Sequence, residues 1–160
     1  MTADAQSASA PAAASAQRTA LALVAGWFVP GLGHVVLGRV RRGVLFGAII
    51  LGSFAFGMAH EGRHAQRDDR QPVLSMLQFV ANAGDGVGDL IARFAVYGSP
   101  VYALPRDPSD PRYVERIRTL RDRSRSLLSN YGTAYLWTAG LMNLLLLFDV
   151  RDIAASGESS

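Results

Sequence analysis

The sequence predicts an all-α integral membrane protein, and the main reason is the spacing of its charged residues. No Asp, Glu, Lys or Arg occurs within residues 19–38, 43–60 and 126–148. As helices these stretches are long enough to cross a hydrocarbon core about 30 Å thick, which takes roughly 17–25 residues. They also lack the polar stripe that a helix in the core of a soluble protein carries. We therefore expect a helical bundle with three transmembrane helices, over about residues 20–38, 43–60 and 131–148.

The composition fits a bundle of this kind. The chain has 160 residues, of which 49% are hydrophobic and 18% are charged, whereas soluble domains have about 25% charged residues. All 16 basic residues are Arg, the net charge is +3, and there is no Cys, which excludes disulfides, thiolate metal sites and cysteine nucleophiles. The Ala/Ser-rich residues 1–18 are predicted to be a disordered tail. Residues 19–150 would form the membrane bundle, and residues 151–160 would form a second tail.

A fourth crossing is predicted over residues 73–98. As one continuous helix, this segment would place Asp85, Asp89 and Arg93 on one face near the centre of the membrane. Ionisable groups at that depth are costly and normally face a bundle interior. The run Gly84–Gly88 weakens a helix, by about 1 kcal/mol per glycine. The alternative is therefore a break between two half-helices that lie in the interface.

The loop charges favour four crossings. The loop Arg39–Arg42 is short and basic, and the positive-inside rule places such loops in the cytoplasm. Residues 106–125 also carry a net positive charge, so they belong on the same side, which requires residues 73–98 to cross. Both termini would then lie on the non-cytoplasmic side of the inner membrane. The Arg-rich segment 106–128 suits an amphipathic helix on an anionic lipid surface. Its interleaved acidic residues argue against a nucleic-acid partner.

Two groups of polar residues invite a chemical interpretation. His60-Glu61-x-x-His64 matches the zinc-peptidase pattern, which requires a helix that presents both histidines on one face. Here the pattern falls at the end of the second span and contains a glycine, so a polar cluster at the membrane edge is the main expectation.

The second group is a possible intramembrane cluster. Two carboxylates one helical turn apart could bind a cation or relay a proton. Its alternative is a solvated turn, or a structural ion pair with the arginine. The members of this cluster are Asp85, Asp89, Arg93 and Asn143.

The first predicted hairpin carries a dense motif of aromatic, proline, glycine and basic residues. Its members are Trp27, Pro30, Gly31, Gly33, His34, Gly38, Arg39 and Gly43. The motif resembles the hairpin of the TM-two type domains and of a group of small bacterial multi-pass membrane proteins of unknown function. The latter group also resembles the chain at residues 131–149. The resemblance implies a membrane protein of unassigned activity and supplies no catalytic residue.

Two functions follow as hypotheses. The first is a non-enzymatic scaffold or accessory subunit that packs against other membrane proteins, or against itself, through small residues such as Gly43 and Gly47. The second is a small ion- or proton-coupled transporter that uses Asp85, Asp89 and Arg93. A membrane metallopeptidase is a remote third. We expect no catalytic residue, cofactor or metal site, and no nucleic acid as a partner.

Overall fold

The computed structural model describes residues 3–66, 71–98, 100, 107 and 109–157, and these residues form helices and no strand. The predicted all-α class is therefore confirmed. The start of the predicted Arg-rich segment lies in part outside the described residues. The seven helices are α1 (Ala3–Phe28), α2 (Leu32–Val36), α3 (Val40–Ala59), α4 (Pro72–Ala83), α5 (Val87–Tyr97), α6 (Pro111–Ser124) and α7 (Ser129–Gly157).

Two of these helices, α3 and α7, are long and apolar enough to cross a membrane. They pack against each other along their lengths and run antiparallel. The sequence predicts three spans and a fourth over residues 73–98, and this number is wrong, because only two of the described helices are long and apolar enough to span. Helix α1 begins at Ala3, within the segment whose composition predicts disorder, and alanine is the strongest helix former.

The first predicted span fails because the chain reverses inside it. Helix α1 stops before Pro30, which lacks a backbone donor, and Gly31 adopts the left-handed φ of 87° that an L side chain disfavours. Helix α2 then returns alongside α1. The two helices touch closely, because a Cβ built on Gly33 would lie 2.6 Å from the carbonyl oxygen of Ala22. Residues 20–38 thus form a helical hairpin.

Residues 73–98 also form a hairpin, as the alternative of two half-helices anticipates. Helices α4 and α5 are separated by the turn at residues 84–86, where Gly86 has a φ of 59°. Asn82 before the turn and Arg93 after it both bond to the backbone of Ala65. The chain therefore doubles back, and neither half-helix crosses the bundle by itself.

The tips of the two hairpins meet near the middle of α7. The side-chain amide of Asn143 donates to the carbonyl oxygen of Gly26 at 3.3 Å and to that of Gly84 at 2.8 Å. Nε1 of Trp27 donates to the carbonyl oxygen of Ala83 at 3.0 Å, which joins one tip to the other. The two hairpins reach this junction from opposite ends of the bundle.

One end, which we call the Arg39 end, holds Arg18, Arg39 and the last turns of α7. The other, the Ser129 end, holds Glu61 and the start of α7, since the Ser129 hydroxyl donates to the Glu61 carbonyl oxygen. Helix α6 precedes α7 and lies at the Ser129 end. The loop Arg39–Arg42 and α6 of the Arg-rich segment therefore lie at opposite ends of the bundle, because residues 73–97 turn back, whereas the loop charges predict one side of the membrane for both.

Polar side chains are concentrated inside the bundle and apolar ones outside it. Seven of the ten largest fully buried side chains among the described residues are polar or ionisable: Arg93, His34, His64, Asn82, Asn143, Asp89 and Ser129. Large apolar side chains are exposed along α3, α4 and α7. Most residues in the apolar stretches of α3 and α7 are not buried: 22% of the stretch in α3 and 39% of the stretch in α7 is buried inside the bundle. The bundle also has an apolar core at Ile50, Ala139 and Leu146, so the feature that is unusual for a soluble domain is the amount of exposed apolar surface.

Candidate functional site

The buried ionisable cluster lies between α4, α5 and the segment that follows α3. Its centre is the carboxylate of Asp89, in the first turn of α5. One of its oxygens accepts a hydrogen bond of 2.7 Å from Nε of Arg93, and the other lies 2.8 Å from Nδ1 of His64. All three side chains are at least 98% buried. Sequence spacing correctly places Asp89 and Arg93 on one helical face.

The segment that contains His64 is held in place by two side chains of the second hairpin. The amide N–H of Ala65 donates to Oδ1 of Asn82 at 2.7 Å, and Nη2 of Arg93 donates to the carbonyl oxygen of Ala65 at 2.7 Å. Both polar groups of this buried residue are thereby satisfied. The clamp fixes His64 against Asp89.

Asp85 occupies the turn between α4 and α5, and its carboxylate is not paired with a cationic side chain as that of Asp89 is. The residue is 4% exposed, and its carboxylate lies near the side-chain amide of Asn82 without forming a well-aligned hydrogen bond with the described residues. Its nearest ionised neighbour is Asp89, which repels it. A buried, unpaired carboxylate is unfavourable unless a positive charge or a proton neutralises it.

The charges of the cluster do not cancel. With both carboxylates ionised, the guanidinium of Arg93 compensates only one of them. His64 supplies a second positive charge only when it is protonated, and its Nε2 is buried without a hydrogen bond. With His64 neutral and both carboxylates ionised, the described side chains of the cluster by themselves carry one negative charge, which one proton or one monovalent cation would neutralise.

The predicted intramembrane cluster is brought together only in part. Asp85, Asp89 and Arg93 share one buried site. Asn143 is equally buried, but its amide holds the two hairpin tips together. Sequence reasoning missed the parts of His64 and Asn82 in the cluster. His64 was considered only as part of a zinc motif, and no local spacing links it to a carboxylate 25 residues further on.

The zinc-peptidase pattern does not have the geometry it needs. Helix α3 ends at Ala59, and Glu61 has a φ of 56°, so the motif is not on a helix. Nδ1 of His60 lies 2.9 Å from the carbonyl oxygen of Phe56, whereas His64 faces Asp89. Among the described residues no group of three or more His, Asp and Glu side chains is arranged so that it could hold a metal ion.

The hairpin motif is largely a packing motif. Gly31 and Gly43 are in close contact, and a Cβ on Gly47 would lie 2.6 Å from the carbonyl oxygen of Pro30. The small-residue face of α3 is therefore covered by the chain's own first hairpin. The scaffold hypothesis had assigned that face to a partner protein.

The motif also contains one ionisable contact. Nε2 of His34, which is fully buried in α2, lies 2.8 Å from Oδ2 of Asp149 in α7. The Asp149 side chain is 47% exposed at the Arg39 end. The two residues lie 115 positions apart in the chain, so no local sequence pattern predicts their contact.

The fold and the site define a class of protein: an all-helical bundle with two potential membrane spans and an ionisable interior. The chain belongs to a family of unknown function (DUF6677), whose model matches residues 21–159. The expectation of an uncharacterised family is thereby confirmed. Comparison with curated proteins and with solved structures finds no match to the chain.

Proposed function

We propose that the chain is a small ion- or proton-coupled transport protein of the cell's inner membrane. In this proposal α3 and α7 cross the bilayer, and the two hairpins enter it from opposite faces without crossing. The exposed apolar side chains of the bundle would face lipid. The half-helices keep most of their backbone bonds internal, and protein surrounds their turns, as lipid requires of irregular backbone.

Asp85 carries the proposal. Its carboxylate is buried, the side chain of Asn82 is its nearby polar neighbour, and no cation among the described residues forms an ion pair with it. A cluster with a purely structural role would be expected to have its buried charges paired, as Asp89 and Arg93 are. A group that binds and releases a small cation needs a free anionic oxygen that uptake of the cation neutralises. The proposal gives this role to Asp85 and assigns no catalytic residue.

The test is flux into liposomes that contain the purified full-length protein. A trapped pH-sensitive dye would follow proton entry under an imposed membrane potential, and a sodium gradient would replace the potential in a parallel series. We expect Asp85→Asn to lower the flux at least tenfold, since the neutral amide cannot be neutralised further. The matched control is Asp110→Asn, a carboxylate at the exposed start of α6. Equal flux in wild type and Asp85→Asn, or no flux in wild type, would reject the proposal.

A scaffold role is the second candidate, and one surface feature supports it. Gly52 lies on the exposed side of α3, and a Cβ built there would have no atom within 4 Å. A small residue on an apolar helix lets a second helix approach closely. If this face binds another helix, Gly52→Leu would reduce the size of the complex in mild detergent. An unchanged size would leave the scaffold role without structural support.

A further inference from the structure

The two hairpins share one backbone plan. Helices α1 and α4 end 55 positions apart, at Phe28 and Ala83, and the return helices α2 and α5 also begin 55 positions apart, at Leu32 and Val87. Each turn has three residues, and its last residue is a glycine with positive φ, at 87° for Gly31 and 59° for Gly86. The hairpins reach the junction at Asn143 from opposite ends. The structure therefore contains an inverted pair of hairpins.

The correspondence extends to the ionisable residues. Gly31-Leu32-Gly33-His34 and Gly86-Val87-Gly88-Asp89 occupy equivalent positions, so His34 corresponds to Asp89. Each of these two residues is fully buried and lies 2.8 Å from a partner of the opposite type, Asp149 and His64 respectively. The histidine of the contact lies in the first hairpin at one end, whereas the aspartate of the contact lies in the second hairpin at the other end. One His–Asp contact thus lies on each side of the junction, buried at Asp89 and half-exposed at Asp149.

We propose that the His34–Asp149 pair is a second proton-binding site, which exchanges protons with the solution at the Arg39 end. This inference rests on the proposed function. The Asp149 carboxylate is 47% exposed near the Arg39 end, and the fully buried imidazole of His34 lies behind it. Nδ1 of His34 is buried without a hydrogen bond, so the ring has a free position for a second proton. In inverted-repeat transporters the substrate site lies where the repeats meet, so each repeat faces one side of the membrane.

The charged surroundings of the pair are defined by three elements. The guanidinium of Arg18 in α1 donates to the carbonyl oxygen of Val36 in α2, and Arg42 of α3 shares a groove with Asp149. The other charged groups at this end are Arg39, Arg41, Arg151 and Asp152. Charged side chains of both signs thus lie at the same end of the bundle as the pair.

The first measurement is ¹⁵N nuclear magnetic resonance of histidine side chains in the full-length protein. The chain has only three histidines, so each signal can be assigned by substitution. We expect the His34 imidazole to change between its neutral and protonated forms between pH 5 and 9. In Asp149→Asn this change should move to lower pH, because the anionic partner is lost. The matched control is Asp152→Asn, an exposed carboxylate on the same helix. A His34 signal that stays in one form from pH 5 to 9 would overturn the inference.

The second measurement separates this inference from the proposed function. Proton flux into liposomes would be recorded while the pH is varied on one side at a time. We expect His34→Gln to lower the flux at least tenfold, and Asp149→Asn to shift the pH dependence only on the side of the Arg39 end. Unchanged flux and pH dependence in both variants would make the pair structural and overturn the inference. Absence of flux in wild type would reject the proposed function, and the resonance measurement would then decide proton binding at His34 by itself.

Discussion

At the scale of single residues, the two carboxylates of the buried cluster have opposite relations to their surroundings. Asp89 accepts a charge-assisted hydrogen bond from Arg93 and faces His64, whereas Asp85 has only the Asn82 amide nearby and no cationic partner among the described residues. Paired buried charges are costly to separate, and an unpaired one is costly to keep. The same substitution at these two positions should therefore change stability in opposite directions.

The first prediction compares Asp85→Asn with Asp89→Asn. At a pH high enough to ionise the buried carboxyl, we expect Asp85→Asn to stabilise the fold by about 1–3 kcal/mol, because it removes a buried charge. Asp89→Asn should destabilise it by about 3–5 kcal/mol, because it leaves Arg93 buried without its carboxylate. Thermal unfolding of both variants in detergent measures the difference. Destabilisation by both variants would show that Asp85 has a structural partner.

Sequence reasoning identified part of this site for a physical reason. Asp89 and Arg93 lie four residues apart in α5, and helical periodicity alone places such residues together. Asp85 lies in the turn before α5, so the turn and not the periodicity brings it to the cluster. His64 and Asn82 reach the cluster through tertiary contacts, as does Asp149 in the pair with His34. Such contacts depend on how the hairpins fold back, which local spacing does not encode.

At the scale of helices and hairpins, close backbone contacts hold the half-helices against α7. A Cβ built on Gly140 would overlap the carbonyl oxygen of Ala81 in α4, and one on Gly84 would overlap the carbonyl oxygen of Gly140. Backbone atoms cannot move aside as the end of a flexible side chain can. The second hairpin can therefore approach the middle of α7 only where α7 has a glycine.

The second prediction compares two glycine-to-alanine substitutions in long helices. Gly140→Ala should destabilise the fold by about 1–3 kcal/mol, because the added methyl group forces α4 away from α7. Gly52→Ala should stabilise it by up to about 1 kcal/mol, because its Cβ meets no atom within 4 Å and alanine favours a helix. Unfolding of both variants in one detergent checks the pair. Equal effects would contradict the close packing of the second hairpin.

The helical content was predictable from the sequence, but the reversals were not. Charge-free stretches of about 20 residues correctly predicted α3 and α7, which contain no turn. The first stretch has the same length and apolarity, yet Pro30 and Gly31 end the helix within it and α2 returns. Hydropathy measures the composition of a stretch, and a hairpin of two half-helices has the composition of one span. The turn at residues 84–86 was recognised as a weak point because three of the five residues from Gly84 to Gly88 are glycines.

At the scale of the whole molecule, the hairpins decide which parts of the chain share a face of the membrane. If α3 and α7 alone cross, the loop Arg39–Arg42 lies at one face and the start of α6 at the other. If residues 73–97 crossed as well, both would lie at the same face. The number of crossings therefore determines the sidedness of two positions that lie about 70 residues apart in the chain.

The most direct test places single cysteines at these two positions of the Cys-free chain, as Val40→Cys and Ser109→Cys. Both residues lie outside the buried cluster and are exposed, and neither change alters a charge. Intact cells would be treated with a membrane-impermeant thiol reagent, with the unmodified chain as the blank. The two-crossing fold predicts that one variant labels from outside and that the other labels only after lysis. Labelling of both variants under the same condition would show that residues 73–97 cross the membrane and would contradict the fold described above.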